Sequence, residues 1–169
     1  MQTHTQTLKK ILKMKKVLLF LLIAFSFSTF AQDLPDATIV DINGKKVNFK
    51  DIVKSDKPVI ISFWATWCVP CINELDAISE VYPDWQEETG VKLIAISVDN
   101  ERTARRMKPL VNGKGWDYEV YRDYNEELKR AFNIASVPYM IIIVNGKIVQ
   151  TRTGYTPGSE DEIYEIISK

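Results

Sequence analysis

Two cysteines three residues apart, Cys68 and Cys71, are the side chains of this sequence best suited to chemistry. They are the only cysteines in the 169-residue chain. A Cys-x-x-Cys pair can close a disulfide, and its reduced form can attack a disulfide of another molecule through the thiolate. A structural staple is the alternative, but so short a loop constrains the unfolded chain far less than a long-range bridge. The spacing therefore favours a redox-active pair.

The elements around the pair predict how it is positioned. Residues 59–64 form an apolar run opened by Pro58, which is typical of a strand covered on both faces. The helical face that follows consists of Leu75, Ile78, Tyr82 and Trp85. A thiol at such a helix start meets unpaired N–H groups and the positive end of the helix dipole, which favour the thiolate. We therefore predict Cys68 as the nucleophile and Cys71, one turn further in, as the resolving cysteine.

Other cysteine chemistries fail on the neighbouring residues. The only histidine, His4, lies near the N-terminus, within a segment that we expect to be removed. Without it, a zinc site of four Cys and His ligands is excluded. Covalent haem attachment needs a histidine directly after the second cysteine, where this chain has Ile72. We expect neither a metal nor a cofactor beyond the cysteine pair.

The N-terminal half of the globular part predicts a hairpin and a βαβ unit. Residues 38–42 and 45–49 flank Asn43-Gly44, a pair that readily forms a type I′ turn. Residues 91–98 repeat the buried-strand pattern of residues 59–64. The helix after them carries Ala104, Met107 and Val111 on one face. Between the two buried strands, Pro83 should kink or break the helix that follows the cysteines.

The C-terminal half predicts a strand, a helix, a second hairpin and a last helix. Residues 117–122 form the strand, and Asp123 with Glu126 makes a capping-box pattern at the next helix. The second hairpin spans residues 139–153 around Asn145-Gly146. The terminal helix carries Ile163, Ile166 and Ile167, with Ser159 and Glu162 as a second capping box. Strands alternating with helices predict one α/β domain.

The first 31 residues resemble a secretion leader. Five lysines precede an apolar run over residues 17–30, which is too short to span the hydrocarbon core of a bilayer. Small residues before Gln32 predict cleavage there, giving a signal peptide over residues 1–31 and a mature domain over residues 32–169. Uncleaved, the same segment would anchor the protein to the membrane. Met14 is a second plausible start.

The net charge limits the partners of the mature chain. Removing the five leader lysines from the 22 basic residues leaves 17 against 22 acidic residues, a net charge of −5. Nucleic-acid binding draws its free energy from clustered Lys and Arg. We therefore expect no nucleic-acid partner.

The active-site segment of the thioredoxin superfamily is similar to residues 63–71, Phe63-Trp64-Ala65-Thr66-Trp67-Cys68-Val69-Pro70-Cys71. The resemblance extends over residues 33–169 and is greatest to the TlpA-like and ResA-like extracytoplasmic thiol-disulfide oxidoreductases. It implies a thioredoxin-like three-layer α/β sandwich with an N-terminal β-hairpin extension. It also implies a periplasmic reductase of protein disulfides, for apocytochromes or other thiols, recharged by a membrane electron donor. We expect a monomer.

The same resemblance assigns a client-binding edge. In this family a cis-proline loop faces the cysteines, and Val137-Pro138, just before a predicted strand, matches it. X-Pro bonds are those for which the cis form is accessible. The backbone of Val137 would then be offered to a client peptide. Trp67, next to the nucleophile, is expected at the rim of the site in contact with the client, and Trp64 in the core.

Glu74 is the candidate proton carrier. Cytoplasmic thioredoxins have a buried acidic residue where this chain has Ser62. The ResA-like branch instead places a glutamate three residues after the second cysteine, which is Glu74 here. Burial would raise the pKa of Glu74 and let it exchange a proton with Cys71. The alternative is an exposed carboxylate that only favours the helix start.

Two other functions stay open from the sequence. Peroxiredoxins share this fold, but they carry a threonine three positions before the reactive cysteine, where this chain has Ala65. A client-binding module with little redox turnover would use the edge at Val137-Pro138 and keep the disulfide as a staple. The sequence favours a reductase in which Cys68 attacks, Cys71 releases the client and Glu74 moves the proton.

Overall fold

The computed structural model describes residues 34–169. The predicted signal peptide over residues 1–31 and its cleavage point before Gln32 lie outside the described residues. Within residues 34–169, no helix combines the length and the apolar character needed to cross a bilayer.

Seven strands make one mixed sheet in the described part of the chain. They are β1 (Thr38–Asp41), β2 (Lys46–Asn48), β3 (Val59–Trp64), β4 (Lys92–Ser97), β5 (Glu119–Arg122), β6 (Tyr139–Val144) and β7 (Lys147–Thr153). Their order across the sheet is β2-β1-β5-β4-β3-β6-β7. Strands β5, β4 and β3 run parallel, and the remaining neighbours pair antiparallel. All six residues of β3 are buried, which confirms the predicted central strand.

Five α-helices are connected to these strands in residues 34–169. They are α1 (Phe49–Val53), α2 (Val69–Thr89), α3 (Met107–Lys114), α4 (Glu127–Ala131) and α5 (Glu160–Ile167). A single 3₁₀ turn, Ala104–Arg106, leads into α3. The predicted order of elements is confirmed, with the short helix α1 as an addition between the first hairpin and β3.

Alternate residues of β3 pack against opposite helical layers, as the two-residue period of a strand requires. Phe63 packs with residues of α1 and α4 on one face. Ile60 packs with α2 and α5 on the other face, and Trp64 packs there with α2 and α3. The predicted three-layer α/β sandwich is therefore confirmed. Trp64 is fully buried, which confirms its predicted place in the core.

The two Asn-Gly turns adopt different conformations. Asn145 and Gly146 have φ of 52° and 72°, as a type I′ turn requires. In the first hairpin only Gly44 has a positive φ, 86°, so the type I′ turn predicted at Asn43-Gly44 is wrong. The Asp41 carboxylate accepts hydrogen bonds from the N–H groups of Asn43, at 2.8 Å, and Lys45, at 2.9 Å. These bonds stabilise a longer turn in which glycine alone takes the left-handed conformation.

The helix α2 continues without a break through Pro83, so the predicted break does not occur. Tyr82 and Trp85 lie on either side of the proline and are buried with Ile78 against the sheet. Burial of these large side chains offsets the backbone hydrogen bond that proline cannot donate.

The predicted capping box of Asp123 and Glu126 is also wrong. Helix α4 begins at Glu127, and Glu126 has a left-handed conformation with φ of 57°. The Asp123 carboxylate instead accepts the N–H of Lys129 at 2.8 Å. It satisfies a free N–H in the first turn of the helix, but from a position further back than a capping box requires.

The second capping box fails at the start of α5. Ser159 occupies the N-cap position, but its hydroxyl makes no capping hydrogen bond. Glu162 pairs with Arg152 of β7 at 3.1 Å instead of folding back on the helix start. An ion pair across elements has replaced the local contact.

Candidate active site at the start of the second helix

The cysteine pair lies at the junction between β3 and α2. After Trp64 the chain makes a tight turn, in which the N–H of Cys68 donates to the carbonyl of Ala65 at 3.0 Å. Helix α2 begins at Val69, and Cys68 is its N-cap residue. The sulfur of Cys68 accepts the N–H of Cys71 at 3.3 Å. The predicted placement of the pair at a strand-to-helix junction is confirmed.

Cys68 and Cys71 form a disulfide with their Cα atoms 5.3 Å apart. Cys71 is fully buried, whereas Cys68 keeps 5% of its surface exposed. Around them pack Trp64, Leu75, Met107, Val111 and Trp116, an apolar cluster from β3, α2, α3 and the loop before β5. Cys68 is therefore the cysteine of the pair that keeps some exposed surface.

Glu74 is buried one helical turn after Cys71. Only 4% of its surface is exposed, so the predicted burial is confirmed and the exposed alternative is wrong. Residues three apart on a helix share a face, which places Glu74 on the same side of α2 as Cys71. The fully buried Ser62 donates its hydroxyl to the Glu74 carboxylate at 2.8 Å. The two positions singled out in the sequence are thus direct partners.

Burial raises the pKa of Glu74 from 4.5 to about 7, because the ionised form loses its hydration. The Ser62 hydrogen bond and the charge of Arg152 act in the opposite direction, and the charge of Glu160 adds to the rise. A carboxyl group with this pKa is partly protonated at neutral pH. It can therefore both give and take a proton there.

Replacing Ser62 by alanine is expected to raise the pKa of Glu74 further, because the hydrogen bond at 2.8 Å favours the ionised carboxylate. Carbon-13 NMR titration of the glutamate side-chain carboxyls measures the change. Ser79→Ala is the matched control, since the Ser79 hydroxyl donates to the Asp76 carbonyl on the same helix. A pKa that stays the same or falls in Ser62→Ala would contradict this account of Glu74.

A cavity of about 240 Å³ opens at Trp67, the neighbour of Cys68 in sequence, between the loops that follow β3 and β4 and the loop that precedes β6. Trp67 lines it and is 57% exposed, which fits the predicted rim position. Val137 also lines it and packs against the apolar cluster around the cysteines. The Val137–Pro138 peptide bond is cis, as predicted. Cys68, Trp67 and the loop at Pro138 thus share one corner of the molecule.

Asp99, a residue that is 1% exposed next to this corner, is not among the residues predicted for the site. It accepts hydrogen bonds from the N–H and the hydroxyl of Thr66, both at 2.8 Å. The signal in the sequence is an acidic residue directly after the apolar run of β4. Acidic side chains at the carboxyl edge of a parallel sheet commonly face a site.

Within residues 34–169, no three His, Cys, Asp or Glu side chains are grouped so that they could hold a metal ion.

Comparison with known proteins gives a consistent picture. The AhpC/TSA family model matches residues 30–152. Thiol-disulfide oxidoreductase ResA of Bacillus thuringiensis strain Al Hakam is 32% identical over 124 residues, covering 73% of this chain and 69% of that protein. The same enzyme from Bacillus thuringiensis subsp. konkukian is 30% identical over 134 residues, covering 79% and 75%.

Two solved structures share the fold. An uncharacterized thioredoxin-like protein from Porphyromonas gingivalis has a TM-score of 0.71 and 49% identity, covering 83% of this chain and 92% of that one. StoA of Bacillus subtilis has a TM-score of 0.61 and 19% identity, covering 78% and 96%. The thioredoxin-like nature of the sandwich is therefore confirmed.

Proposed function

The chain belongs to the AhpC/TSA family and is a thioredoxin-fold thiol-disulfide oxidoreductase, and on that premise we propose that it reduces protein disulfides outside the cytoplasm. The observation that carries this proposal is the Cys68–Cys71 disulfide at the start of α2, with the buried Glu74 one turn below it. The pair supplies a reversible two-electron couple. The carboxyl group supplies a proton acceptor and donor that works near neutral pH.

The reaction has two exchange steps. The Cys68 thiolate attacks one sulfur of the client disulfide, which forms a mixed disulfide and releases the other client sulfur as a thiolate that takes up a proton. Cys71 then loses its proton and attacks the sulfur of Cys68. This step closes the Cys68–Cys71 disulfide and releases the second client thiol. The client gains two electrons and two protons, and the enzyme is oxidised.

We assign the second proton transfer to Glu74. Cys71 is fully buried, so water has no free access to its thiol. Glu74 shares a helix face with Cys71 and ionises at a pH near 7. Its ionised form accepts the Cys71 proton, and its protonated form returns a proton when the pair is reduced again.

The surroundings of the pair support the reducing direction. Strongly oxidising pairs are those whose reduced, thiolate form is markedly stabilised. In this chain the first turn of α2, residues 69–72, contains no charged side chain, and Pro70 has no N–H to offer. The sulfur of Cys68 receives the Cys71 N–H, and its packing partners are apolar. The thiolate is therefore stabilised by the helix start alone, without a charged partner beside it.

Client binding is assigned to the cavity beside Cys68. Trp67 and Val137 form two of its walls, and Pro138 holds the end of the loop next to β6. An extended client segment would lie along the backbone of Val137, with an apolar side chain against the Trp67 ring. This places a client sulfur near the exposed edge of Cys68.

The leader over residues 1–31 supports export to the periplasm, with membrane anchoring if it stays uncleaved. Outside the cytoplasm a reductase needs a source of electrons, which we assign to a membrane electron donor. The net charge of −5 for the mature chain supports protein clients rather than nucleic acid. We propose a monomer that alternates between donor and client.

Equilibration with redox buffers of known potential tests the direction. We expect a reduction potential at or below about −270 mV, the value of thioredoxin, together with turnover of insulin disulfides. A potential near about −120 mV, with oxidation of reduced clients, would overturn the reducing direction. Absence of turnover in both directions would favour a client-binding module.

A further inference from the structure

Asp99 is a buried residue whose two carboxylate oxygens both accept hydrogen bonds. Its Oδ1 accepts the hydroxyl of Thr66 at 2.8 Å. Its Oδ2 accepts the N–H of Thr66 at 2.8 Å and the hydroxyl of Ser97 at 2.7 Å. The Asp99 N–H in turn donates to the Ser97 hydroxyl at 3.0 Å. With 1% of its surface exposed, Asp99 is fixed at the end of β4 and holds a residue from another part of the chain.

Thr66 belongs to the turn that carries the nucleophile. Residues 65–68 form this turn, which the bond from the Cys68 N–H to the Ala65 carbonyl closes at 3.0 Å. Both hydrogen-bond donors of Thr66, its N–H and its hydroxyl, go to Asp99. The position of the turn relative to the sheet therefore depends on a side chain 33 residues away in sequence.

Cys71 is held by α2, whereas Cys68 is held both by the start of α2 and by the turn before it. Cys71 is held within α2, which packs along its length against the sheet. Cys68 is held at the helix start, where its carbonyl accepts the Ile72 N–H at 3.1 Å, and also by the turn, hence by Asp99. In the oxidised protein the disulfide itself also joins them. In the reduced protein that bond is absent, and Cys68 is kept beside Cys71 by its own hydrogen bonds to the helix start together with the contact between Asp99 and Thr66 that holds the turn.

We propose that Asp99 is a positioning residue that keeps Cys68 within reach of Cys71 in the dithiol form and so favours closure of the disulfide. Prior positioning of two reacting groups raises their effective concentration toward each other. Loss of the contact would loosen the dithiol more than the disulfide. It would therefore lower the equilibrium constant for closure and make the pair less reducing.

The equilibrium between the protein and glutathione measures this effect. Closure of Cys68–Cys71 transfers two electrons and two protons to oxidised glutathione, which becomes two molecules of reduced glutathione. For Asp99→Ala we expect an equilibrium constant for closure about tenfold smaller, equivalent to about 30 mV less negative. For Asp99→Asn we expect a value within about threefold of the wild type, since the amide oxygen can still accept the Thr66 N–H.

Asp123→Ala is the matched control. Asp123 is also 1% exposed, follows β5 as Asp99 follows β4, and accepts a backbone N–H, that of Lys129 at 2.8 Å. Its removal should lower thermal stability to a comparable degree but leave the glutathione equilibrium at the wild-type value. A general loss of packing would change the glutathione equilibrium of both variants by the same amount. Equal shifts in Asp99→Ala and Asp123→Ala would therefore overturn the proposal.

A second pair of variants covers the case in which Asp99→Ala does not fold. Thr66→Val removes only the hydroxyl bond to Asp99 and should lower the constant about threefold, whereas Thr66→Ser should restore it. Positioning by Asp99 would be contradicted if the equilibrium constant for closure is unchanged in Thr66→Val and Asp99→Ala. It would also be contradicted if that constant increases, since the pair would then be more reducing. A shift in Asp99→Asn as large as in Asp99→Ala would assign the effect to charge instead.

The inference depends on the proposed function only in that the cysteine pair must be redox active. Its failure is distinguishable, because the glutathione equilibrium needs neither a client nor a direction of turnover. If the wild-type pair does not exchange with glutathione, the proposed function fails. If the wild type exchanges and Asp99→Ala matches it, only the role of Asp99 fails.

Discussion

The Cys71→Ser protein is expected to accumulate as mixed disulfides with its clients, whereas Cys68→Ser should form none. Cys68 is the cysteine that keeps some exposed surface, so we assign the first attack to it and release of the client to the buried Cys71. A serine hydroxyl is far less nucleophilic than a thiolate at neutral pH. Multiple-turnover reduction should fall by more than about a thousandfold in either variant.

Purification of Cys71→Ser under acid-quenched, non-reducing conditions, followed by mass spectrometry, measures the trapped species. The double variant Cys68→Ser/Cys71→Ser is the control for non-covalent association. Trapping through Cys71 in the Cys68→Ser protein would reverse the assigned order of attack. The compartment of the recovered clients also tests the proposed location, since cytoplasmic clients alone would contradict export.

Glu74→Gln is expected to stabilise the protein at alkaline pH relative to the wild type. The pKa of Glu74 is about 7 in the folded protein against 4.5 for an ordinary glutamate, so the folded state binds more protons between these values. The free energy of unfolding of the wild type therefore falls as pH rises from 4.5 through 7. The full difference corresponds to about 3 kcal/mol. Glutamine stays neutral and avoids this loss.

Urea unfolding gives the free energy of unfolding of the wild type and of Glu74→Gln at pH 4 and at pH 8.5. The effect is the amount by which the difference between the two proteins changes from the lower to the higher pH. Glu87→Gln is the control, since Glu87 lies on the same helix with an exposed side chain. We expect no pH-dependent difference for it. If the stability of Glu74→Gln relative to the wild type does not increase with pH, the buried carboxyl is not held near a pKa of 7.

The same Glu74→Gln substitution should slow disulfide exchange, because glutamine cannot take the Cys71 proton. General acid-base groups contribute about a hundredfold or more, so we expect a loss of at least that size in single-turnover experiments near neutral pH. The wild-type rate should also show an inflection near pH 7 that the variant lacks. Unchanged kinetics together with the expected stability change would assign Glu74 a purely structural role.

Much of the fold and the core of the site follow from local sequence patterns. The apolar runs at residues 59–64 and 91–98 predict β3 and β4 because buried parallel strands need apolar side chains on both faces. The cysteine spacing and the helical face after it place the pair at a strand-to-helix junction for the same local reason. Both hairpins also follow from their Asn-Gly pairs.

The two capping-box errors and the missed Asp99 come from contacts between residues further apart in sequence than a capping box spans. The Asp123 side chain reaches Lys129, and Glu162 pairs with Arg152, so neither capping box forms. Asp99 was missed because its partner Thr66 lies 33 residues away. A local pattern carries no information on which distant donors a buried carboxylate will meet.

The two outer strands of the sheet, β2 and β7, determine whether an extended segment of another chain can add to the sheet as a further strand. Strand β2 has three residues, and β7 carries Lys147 and Arg152 and leaves Val149 out of the pairing, since Ile142 pairs with Gln150 and Ile143 with Ile148. Short, charged or irregular edges resist the addition of foreign strands. A client chain therefore finds little backbone to pair with along the sheet, and self-association through these edges is disfavoured. If clients bind at the loop beside Cys68, as we propose, their binding would then end when the mixed disulfide is resolved.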